Sequence, residues 1–229
     1  MQRLKVMILA GMAVLALGAT MVASAYAGVE ALNKEGKATT ATFKGTNPAK
    51  ETKLSILGSG LQVICKKHTD EGTLETGGKL GTFHIAFEEC GTSLGGKCTG
   101  LGDTEGTILA LGTQHLATNT ALTVGYILFL TEHLHFTCIV VGISKLVLVL
   151  GEYICEVTPI NILATKLTIT CKKGAEAGDP AVTSYVNDAG KAATLTNALQ
   201  SSEGDTTEVM SAEEGAGEVT ITPEAKLDV

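Results

Sequence analysis

The chain has 229 residues, with 24 Asp and Glu against 17 Lys and Arg, and a net charge of −7. This acidity argues against a nucleic-acid partner and against binding to anionic membrane surfaces, because phosphate groups attract Lys and Arg. The absence of Trp and an aromatic content of 4% argue mildly against a carbohydrate-binding module, since such sites rely on exposed aromatic rings.

The first predicted element is a secretory signal peptide at residues 1–27. A short basic segment precedes an apolar stretch, residues 6–22, and small residues then form an A-x-A cleavage pattern at Ala25 and Ala27. The apolar stretch is near the lower limit for a membrane-spanning helix, so a retained anchor is the alternative. Cleavage would remove two basic residues and no acidic one, leaving residues 28–229 with a net charge of −9. We therefore expect a secreted or cell-surface protein with no transmembrane segment after cleavage.

Hydrophobic residues after the signal recur with a period of two, which is typical of β-strands. Phe83, Ile85 and Phe87 illustrate the alternation, and Gly-containing breaks separate the segments. The nearest approach to a helix, residues 192–203, is short. The predicted fold is therefore all-β: a single β-sandwich or flattened barrel, mainly antiparallel. The predicted strands lie at about residues 38–44, 60–67, 71–76, 79–88, 105–112, 120–131, 133–142, 144–150, 152–158, 163–172, 182–186, 206–210 and 217–222.

The most apolar part of this region is residues 121–150. Polar residues interrupt it at Glu132, His133, His135 and Lys145. Neither apolar half reaches the roughly 18 residues of a transmembrane helix, so we expect successive core strands.

One polar segment, residues 172–181, contains Gly and Pro and is a possible internal boundary. We expect residues 182–229 to be edge strands that complete the same single β-rich domain, 28–229. A flexible tail is the alternative for these last residues.

Six cysteines follow the signal, and an even number in an exported chain predicts three disulfide bonds. No C-x-x-C pair or zinc spacing is present. Cys90 and Cys98 are expected to pair, because the glycines between them let the chain turn back. Cys65 and Cys138 each end an apolar face and are expected to meet in the core.

The third predicted bond joins Cys155 to Cys171, which flank the turn at 158–161. A simple hairpin about that turn would place Cys155 opposite a residue near Ala164. This pair is therefore the least supported, and an exchange of partners with Cys65 or Cys138 is the alternative.

Four stretches form an ordered pattern: LQVICKKHTDEGTLE at 61–75, FEECGTSLGGKCTGLGDTEGTI at 87–108, HFTCIVVG at 135–142 and LGEYICEVTPINILATKLTITCKKG at 150–174. Together they span about a third of the chain and resemble a group of uncharacterised exported proteins of an actinobacterial type. Members of that group usually carry four cysteines, matching Cys65, Cys90, Cys98 and Cys138. Cys155 and Cys171 depart from the pattern. The resemblance implies an exported β-rich domain and no activity.

Paired carboxylates are the first candidates for catalysis. Glu88 and Glu89 are adjacent, so on a strand they point to opposite faces and would not share a site. Asp103 with Glu105, and Glu132, are conceivable acid/base groups. The alternative for Glu132 is a bulge or turn between two strands.

His133 and His135 lie two residues apart, so on one strand both rings face the same way and could hold a metal ion. A third ligand would have to come from a carboxylate or from His68, His84 or His115. The alternative is a solvent-facing pair, and we predict no metal or other cofactor.

The turn at 102–106 could offer oxygens to calcium, but it lacks the closing Glu of a dedicated loop. A plain turn is the better interpretation. A Gly-rich phosphate loop followed by Lys-Ser or Lys-Thr is missing from the sequence.

The sequence predicts a non-enzymatic exported protein that works by surface contact, at the cell envelope or outside the cell. One alternative is a β-barrel that binds a small apolar ligand, with the strands near 121–150 lining the cavity. A hydrolase is the least supported alternative. A packed interior would favour the first hypothesis, and an enclosed void of ligand size would favour the second.

Overall fold

The computed structural model describes residues 29–47, 50–56, 60–75, 77, 79–176, 178–195, 198–204 and 208–229. The predicted signal peptide lies outside these residues. No helix in the described ranges is long and apolar enough to cross a membrane.

The described residues form strands joined by turns, and no α-helix occurs among them. The strands are β1 (Glu30–Leu32), β2 (Ala41–Asn47), β3 (Thr52–Ile56), β4 (Gln62–Cys65), β5 (Lys67–Leu74), β6 (Gly81–Glu88), β7 (Gly91–Thr92), β8 (Cys98–Gly100), β9 (Ile108–Thr118), β10 (Gly125–Val140), β11 (Ile143–Thr158), β12 (Leu163–Cys171), β13 (Ser184–Val186), β14 (Ala192–Thr194), β15 (Gln200–Glu203) and β16 (Val209–Asp228).

Eight antiparallel strands close into a barrel in the order β2-β5-β6-β9-β10-β11-β12-β16. The closing strand is β16, in which Val219 pairs with Gly45 of β2 on one side and Leu167 of β12 on the other. The predicted all-β, mainly antiparallel fold is confirmed, and its form is a barrel rather than a sandwich. The sequence predicts edge strands in residues 182–229. The longest strand of this range, β16, is not an edge strand, because it pairs with β2 on one side and β12 on the other.

Shorter strands cover the outside of the barrel. β3, β4 and β7 form a second small sheet on the first part of β16, and β15 lies between β11 and β16. The β13–β14 hairpin lies over an outer apolar cluster that includes Tyr126, Leu128 and Ile154. An apolar outer face on β9, β10 and β11 is thereby covered.

Several predicted strand pairs are single long strands. β10 replaces the predictions at 120–131 and 133–142, with a β-bulge between Thr131 and Leu134, and β11 replaces those at 144–150 and 152–158. β16 likewise joins the last two predicted strands. Strands can continue through a bulge, because the extra residue shifts the register without ending the pairing.

Inward-facing side chains fill the barrel with aliphatic and aromatic groups. The Phe83 ring meets the Phe129 ring edge to face at 5.1 Å, and Phe129 stacks on Tyr153 at 5.0 Å. The Phe43 ring occupies the space where Gly72 has no Cβ. The predicted inward phase of β6 is confirmed for Phe83 and Ile85, which are buried.

The disulfides are Cys65–Cys90, Cys98–Cys138 and Cys155–Cys171. The predicted Cys90–Cys98 and Cys65–Cys138 bonds are therefore wrong, and the predicted Cys155–Cys171 bond is confirmed. The chain does turn back after Cys90, since the Cys98 amide donates to the Cys90 carbonyl at 3.0 Å. β8 then pairs with β10 in the register that sets Cys98 opposite Cys138, which leaves Cys90 to bond Cys65 at the end of β4.

The Cys155–Cys171 bond forms because β12 is shared between two neighbours. Its second half pairs with β11, which places Cys171 directly opposite Cys155. Its other edge pairs with β16 along the whole strand, from Leu163 opposite Lys226 to Cys171 opposite Gly215, so only the second half has partners on both sides. The simple hairpin register that would set Cys155 near Ala164 therefore does not form.

Candidate functional site

The histidines and the glutamate of β10 that the sequence singled out lie on the surface. Glu132 and His133 fall within the β-bulge, and His135 follows on the strand; all three are exposed. The bulge interpretation of Glu132 is confirmed. Among the described residues, no three His, Cys, Asp or Glu side chains are grouped so that they could hold a metal ion.

Three of the other candidate carboxylates, Glu89, Glu105 and Asp103, are engaged in ordinary structural contacts. Glu89 is exposed and pairs with Lys67 at 2.6 Å, and Glu105 pairs with Lys97 at 2.8 Å. Asp103 Oδ2 accepts a hydrogen bond from the Leu109 amide at 3.0 Å. The carboxylate of Asp103 is thus used to close its own turn, which supports the plain-turn interpretation of residues 102–106.

A polar cluster inside the barrel was not anticipated from the sequence. Asn47 projects inward from β2, His68 and Asp70 from β5, Tyr153 from β11 and Glu213 from β16. We call these five residues the interior acid cluster. Strand alternation brings them together, since each faces the inside of a closed barrel.

Small residues provide the space for this cluster. A Cβ atom on Gly217 would lie 2.8 Å from His68 Nε2 and 2.9 Å from Asn47 Nδ2, and one on Gly45 would lie 3.2 Å from Asp70 Oδ2. Larger residues at these positions would collide with the polar groups. The inward-facing glycines of β2 and β16 therefore fit the interior acid cluster.

Hydrogen bonds link the cluster across strands. Asn47 Nδ2 donates to Asp70 Oδ2 at 2.8 Å, while Asn47 Oδ1 accepts from the Glu218 amide at 2.8 Å. His68 Nε2 lies 3.6 Å from Asp70 Oδ2. Tyr153 is hydrogen-bonded to Glu213. The cluster therefore connects four barrel strands, β2, β5, β11 and β16.

Burial sets the protonation of the cluster. It raises the pKa of Asp70 to about 7, against the opposing effect of the Asn47 hydrogen bond. It also raises the pKa of Glu213 to about 7, with the Tyr153 hydrogen bond opposing and the Asp70 charge adding to the rise. Burial lowers the pKa of His68, and the positive charge of Lys50 lowers it further. Each of the two carboxyl groups therefore gains or loses its proton near neutral pH, a property that catalytic acids share.

The space beside the cluster is small. Two cavities of about 40 and 50 Å³ lie next to each other and share Thr52, Phe87, Tyr153 and Glu213 in their walls. One water molecule needs roughly 10–15 Å³, and ligand pockets are usually about 300–1,000 Å³. These cavities can hold a few waters and are far below the size of a typical substrate.

The most exposed apolar side chains of the longest hairpin are at its end. We call residues 139–146, at the β10–β11 turn, the hairpin tip. Val141 is 81% exposed, Ile143 65%, and Ile139 and Leu146 48% each. Val141 and Gly142 have φ angles of 49° and 79°, so both residues of the two-residue turn are left-handed.

Comparison with known proteins identifies no relative: no protein-family model, curated protein or solved structure matches the chain. The compartment is indicated by the covalent structure. All six cysteines are paired in the described residues, and three disulfides indicate an oxidising, extracellular environment.

Proposed function

We propose that this chain is an exported, non-enzymatic protein that works by surface contact at the cell envelope or outside the cell, and that the hairpin tip is its contact surface. The observation that carries the proposal is Val141, which is both the most exposed apolar residue of the tip and the least suited to its backbone conformation.

Folding alone gives no reason for valine at this position. A β-branched residue with a positive φ is a steric outlier, and two-residue turns of this kind strongly prefer Asn-Gly or Asp-Gly. Backbone strain of this type costs about 1–3 kcal/mol and is found where function requires it. The exposed valine therefore supports a role in contact with something outside the chain.

The neighbouring exposed residues support the same role. Single exposed aliphatic residues are common, whereas a group of them marks an interaction surface. Ile139, Val141, Ile143 and Leu146 form such a group within eight residues. The predicted signal peptide and the three disulfides agree with a site of action outside the cytoplasm.

The two alternatives have less support. An apolar ligand would need a cavity several times larger than the two beside the interior acid cluster, and aromatic rings occupy much of the barrel interior. A hydrolase could use the carboxyl groups of Asp70 and Glu213, but no cavity beside them would admit a typical substrate. The resemblance to exported proteins without an assigned activity also favours a non-enzymatic role.

The test is association of the secreted protein with the envelope fraction of the cells that produce it. The variant Val141→Asn with Ile143→Asn removes two apolar side chains from the tip and should reduce the bound fraction. Leu122→Asn is the matched control, because Leu122 is also an exposed aliphatic residue with a positive φ, 56°, but lies in the turn at the other end of β10. Equal association of the tip variant and the control would contradict the proposal.

A further inference from the structure

We propose that the hairpin tip inserts into the acyl layer of a neutral lipid surface. The inference rests on the proposed function, because it identifies the partner of the same contact surface. Three features of the tip carry it: exposed apolar groups on both faces, compensated charge, and the distance from the apex to the nearest lysines.

The apolar side chains of the tip point in different directions. Ile139 pairs with Ser144, and Val140 pairs with Ile143 on the next rung, so Ile139 and Ile143 project from opposite faces of the hairpin. Val141 occupies the apex between them. A folded protein partner meets one face of a hairpin, whereas a fluid acyl layer can contact both faces of an inserted apex. The distribution of Ile139, Val141 and Ile143 therefore fits lipid better than a flat protein surface.

The charges near the tip are few and are neutralised. Lys145 is the one charged residue of the tip, and its Nζ lies 2.9 Å from Glu203 Oε2. On the adjacent loop Lys97, whose carbonyl accepts from the Ile139 amide, pairs with Glu105. Because both lysines near the tip are paired with glutamates and the chain is acidic, the tip is suited to a neutral lipid surface and not to an anionic one.

The spacing along the hairpin matches a shallow insertion. Lys97 lies beside Ile139, one rung below the Val140–Ile143 pair, and Lys145 pairs with Cys138, two rungs below it. At about 3.4 Å per residue, this places the backbone of Lys97 roughly 3–7 Å and that of Lys145 roughly 7–10 Å below the apex. Amphipathic segments at membrane surfaces bury their apolar groups about 5–10 Å deep, with charged groups left at the headgroups. Lys145 and Glu203 would then lie at headgroup level.

The test is flotation of the whole secreted protein with vesicles of phosphatidylcholine alone. Wild-type protein should float with the vesicles, and Val141→Asn should lower the partition coefficient at least roughly tenfold, since full burial of a valine side chain is worth that much. Leu122→Asn should float as wild type does. An unfolding curve for each variant shows whether it is folded, and Val141→Asn should be no less stable than wild type.

The outcomes separate this inference from the proposed function. Failure of the wild-type protein to float, flotation of Val141→Asn equal to that of wild type, or flotation only with anionic phosphatidylglycerol vesicles would each overturn insertion into neutral lipid. If the tip variants nevertheless lose association with the envelope fraction, the tip remains the contact surface and its partner is a protein or polysaccharide. If they bind both vesicles and envelope as wild type does, both proposals are refuted.

Discussion

Replacing Asp70 with Asn should change how the stability of the barrel depends on pH. Burial raises the pKa of the Asp70 carboxyl group from 3.8 to about 7 in the folded protein. Between these two values the folded protein holds a proton that the unfolded chain has released. The free energy of unfolding contributed by Asp70 therefore falls as the pH rises from about 4 to about 7, and is level outside this window.

The size of the effect follows from the shift. Each pKa unit corresponds to about 1.4 kcal/mol, so a shift of about three units sets an upper limit on the order of 4 kcal/mol for Asp70. Asn is close in shape to a protonated Asp, and its side-chain oxygen can still accept the hydrogen bond from Asn47. Asp70→Asn should therefore be close to wild type in stability near pH 4.5, and more stable by up to that amount at pH 8.

Other groups titrate in or near this range, so the comparison must be between variants. The pKa of His68 is lowered by burial, so its contribution to stability is lost as the pH falls below about 6.5 and opposes that of Asp70. Glu71→Gln is the matched control. Glu71 lies next to Asp70 but is exposed, and its ion pair with Lys44 lowers its pKa, so its contribution is lost only as the pH falls below about 4.5.

The assay is urea unfolding at several pH values between 4.5 and 8.5, with the disulfides intact. Wild type and Glu71→Gln should lose stability with rising pH in parallel, while Asp70→Asn should lose less. Glu213→Gln should act in the same direction, since burial also raises the pKa of Glu213 to about 7. A wild-type curve parallel to that of Asp70→Asn, or a variant less stable than wild type at pH 8, would refute the argument from burial.

Three further predictions concern processing and packing. Mass spectrometry of the secreted protein should find Gly28 at the N-terminus, and retention of the first 27 residues in a membrane fraction would contradict cleavage. The Cys98–Cys138 bond joins cysteines that are 40 residues apart. Replacing both cysteines with Ala should lower the free energy of unfolding by about 2–5 kcal/mol. A non-reducing peptide map that links either cysteine to another partner would contradict the register of β8 on β10. Phe129→Ala should cost about 3–5 kcal/mol in urea unfolding, whereas Leu111→Ala, at a half-exposed position, should change stability by no more than about half a kcal/mol.

Local alternation was enough to predict the fold class, because the period of two fixes which side chains of a strand face inward. It did not distinguish a sandwich from a barrel. That difference depends on the pairing of β12 with β16, where Leu167 meets Val219 across about 50 residues of intervening chain, and no short-range pattern encodes such a contact. The sequence divides β10 at Glu132, because polar residues at the bulge resemble a turn, and divides β11 at Gly151, because glycine also commonly marks a turn.

The local sequence also could not determine which cysteines pair. The glycines after Cys90 correctly predicted a chain reversal, but a reversal brings backbones together without deciding where two thiols point. The partner of Cys98 is decided by the register of β8 on β10, which is a tertiary property. The confirmed Cys155–Cys171 pair likewise depends on the register of β12 on β11, which begins only at Thr168 opposite Thr158.

The interior acid cluster was missed because polar residues at alternate positions are ordinarily assigned to the solvent face. In β5 the outward residue Glu71 lies beside the inward residue Asp70, and both are acidic. Nothing in the local sequence says which carboxylate is buried. The inward-facing glycines Gly45 and Gly217 were a usable signal, because glycine within a strand often marks a site where another group approaches closely.

The position of the Cys98–Cys138 bond bears on how the hairpin tip can stay exposed. Cys138 immediately precedes Ile139, so the bond ties β10 to β8 at the base of the tip. An apolar tip on a loosely held hairpin would gain free energy by folding back onto the barrel and burying its side chains. The covalent link and the continuous pairing of β10 with β11 oppose that collapse, and they also hold Val141 in its unfavourable backbone conformation. The crosslink thus keeps the apolar side chains available for contact, and its loss should weaken vesicle binding even in molecules that remain folded.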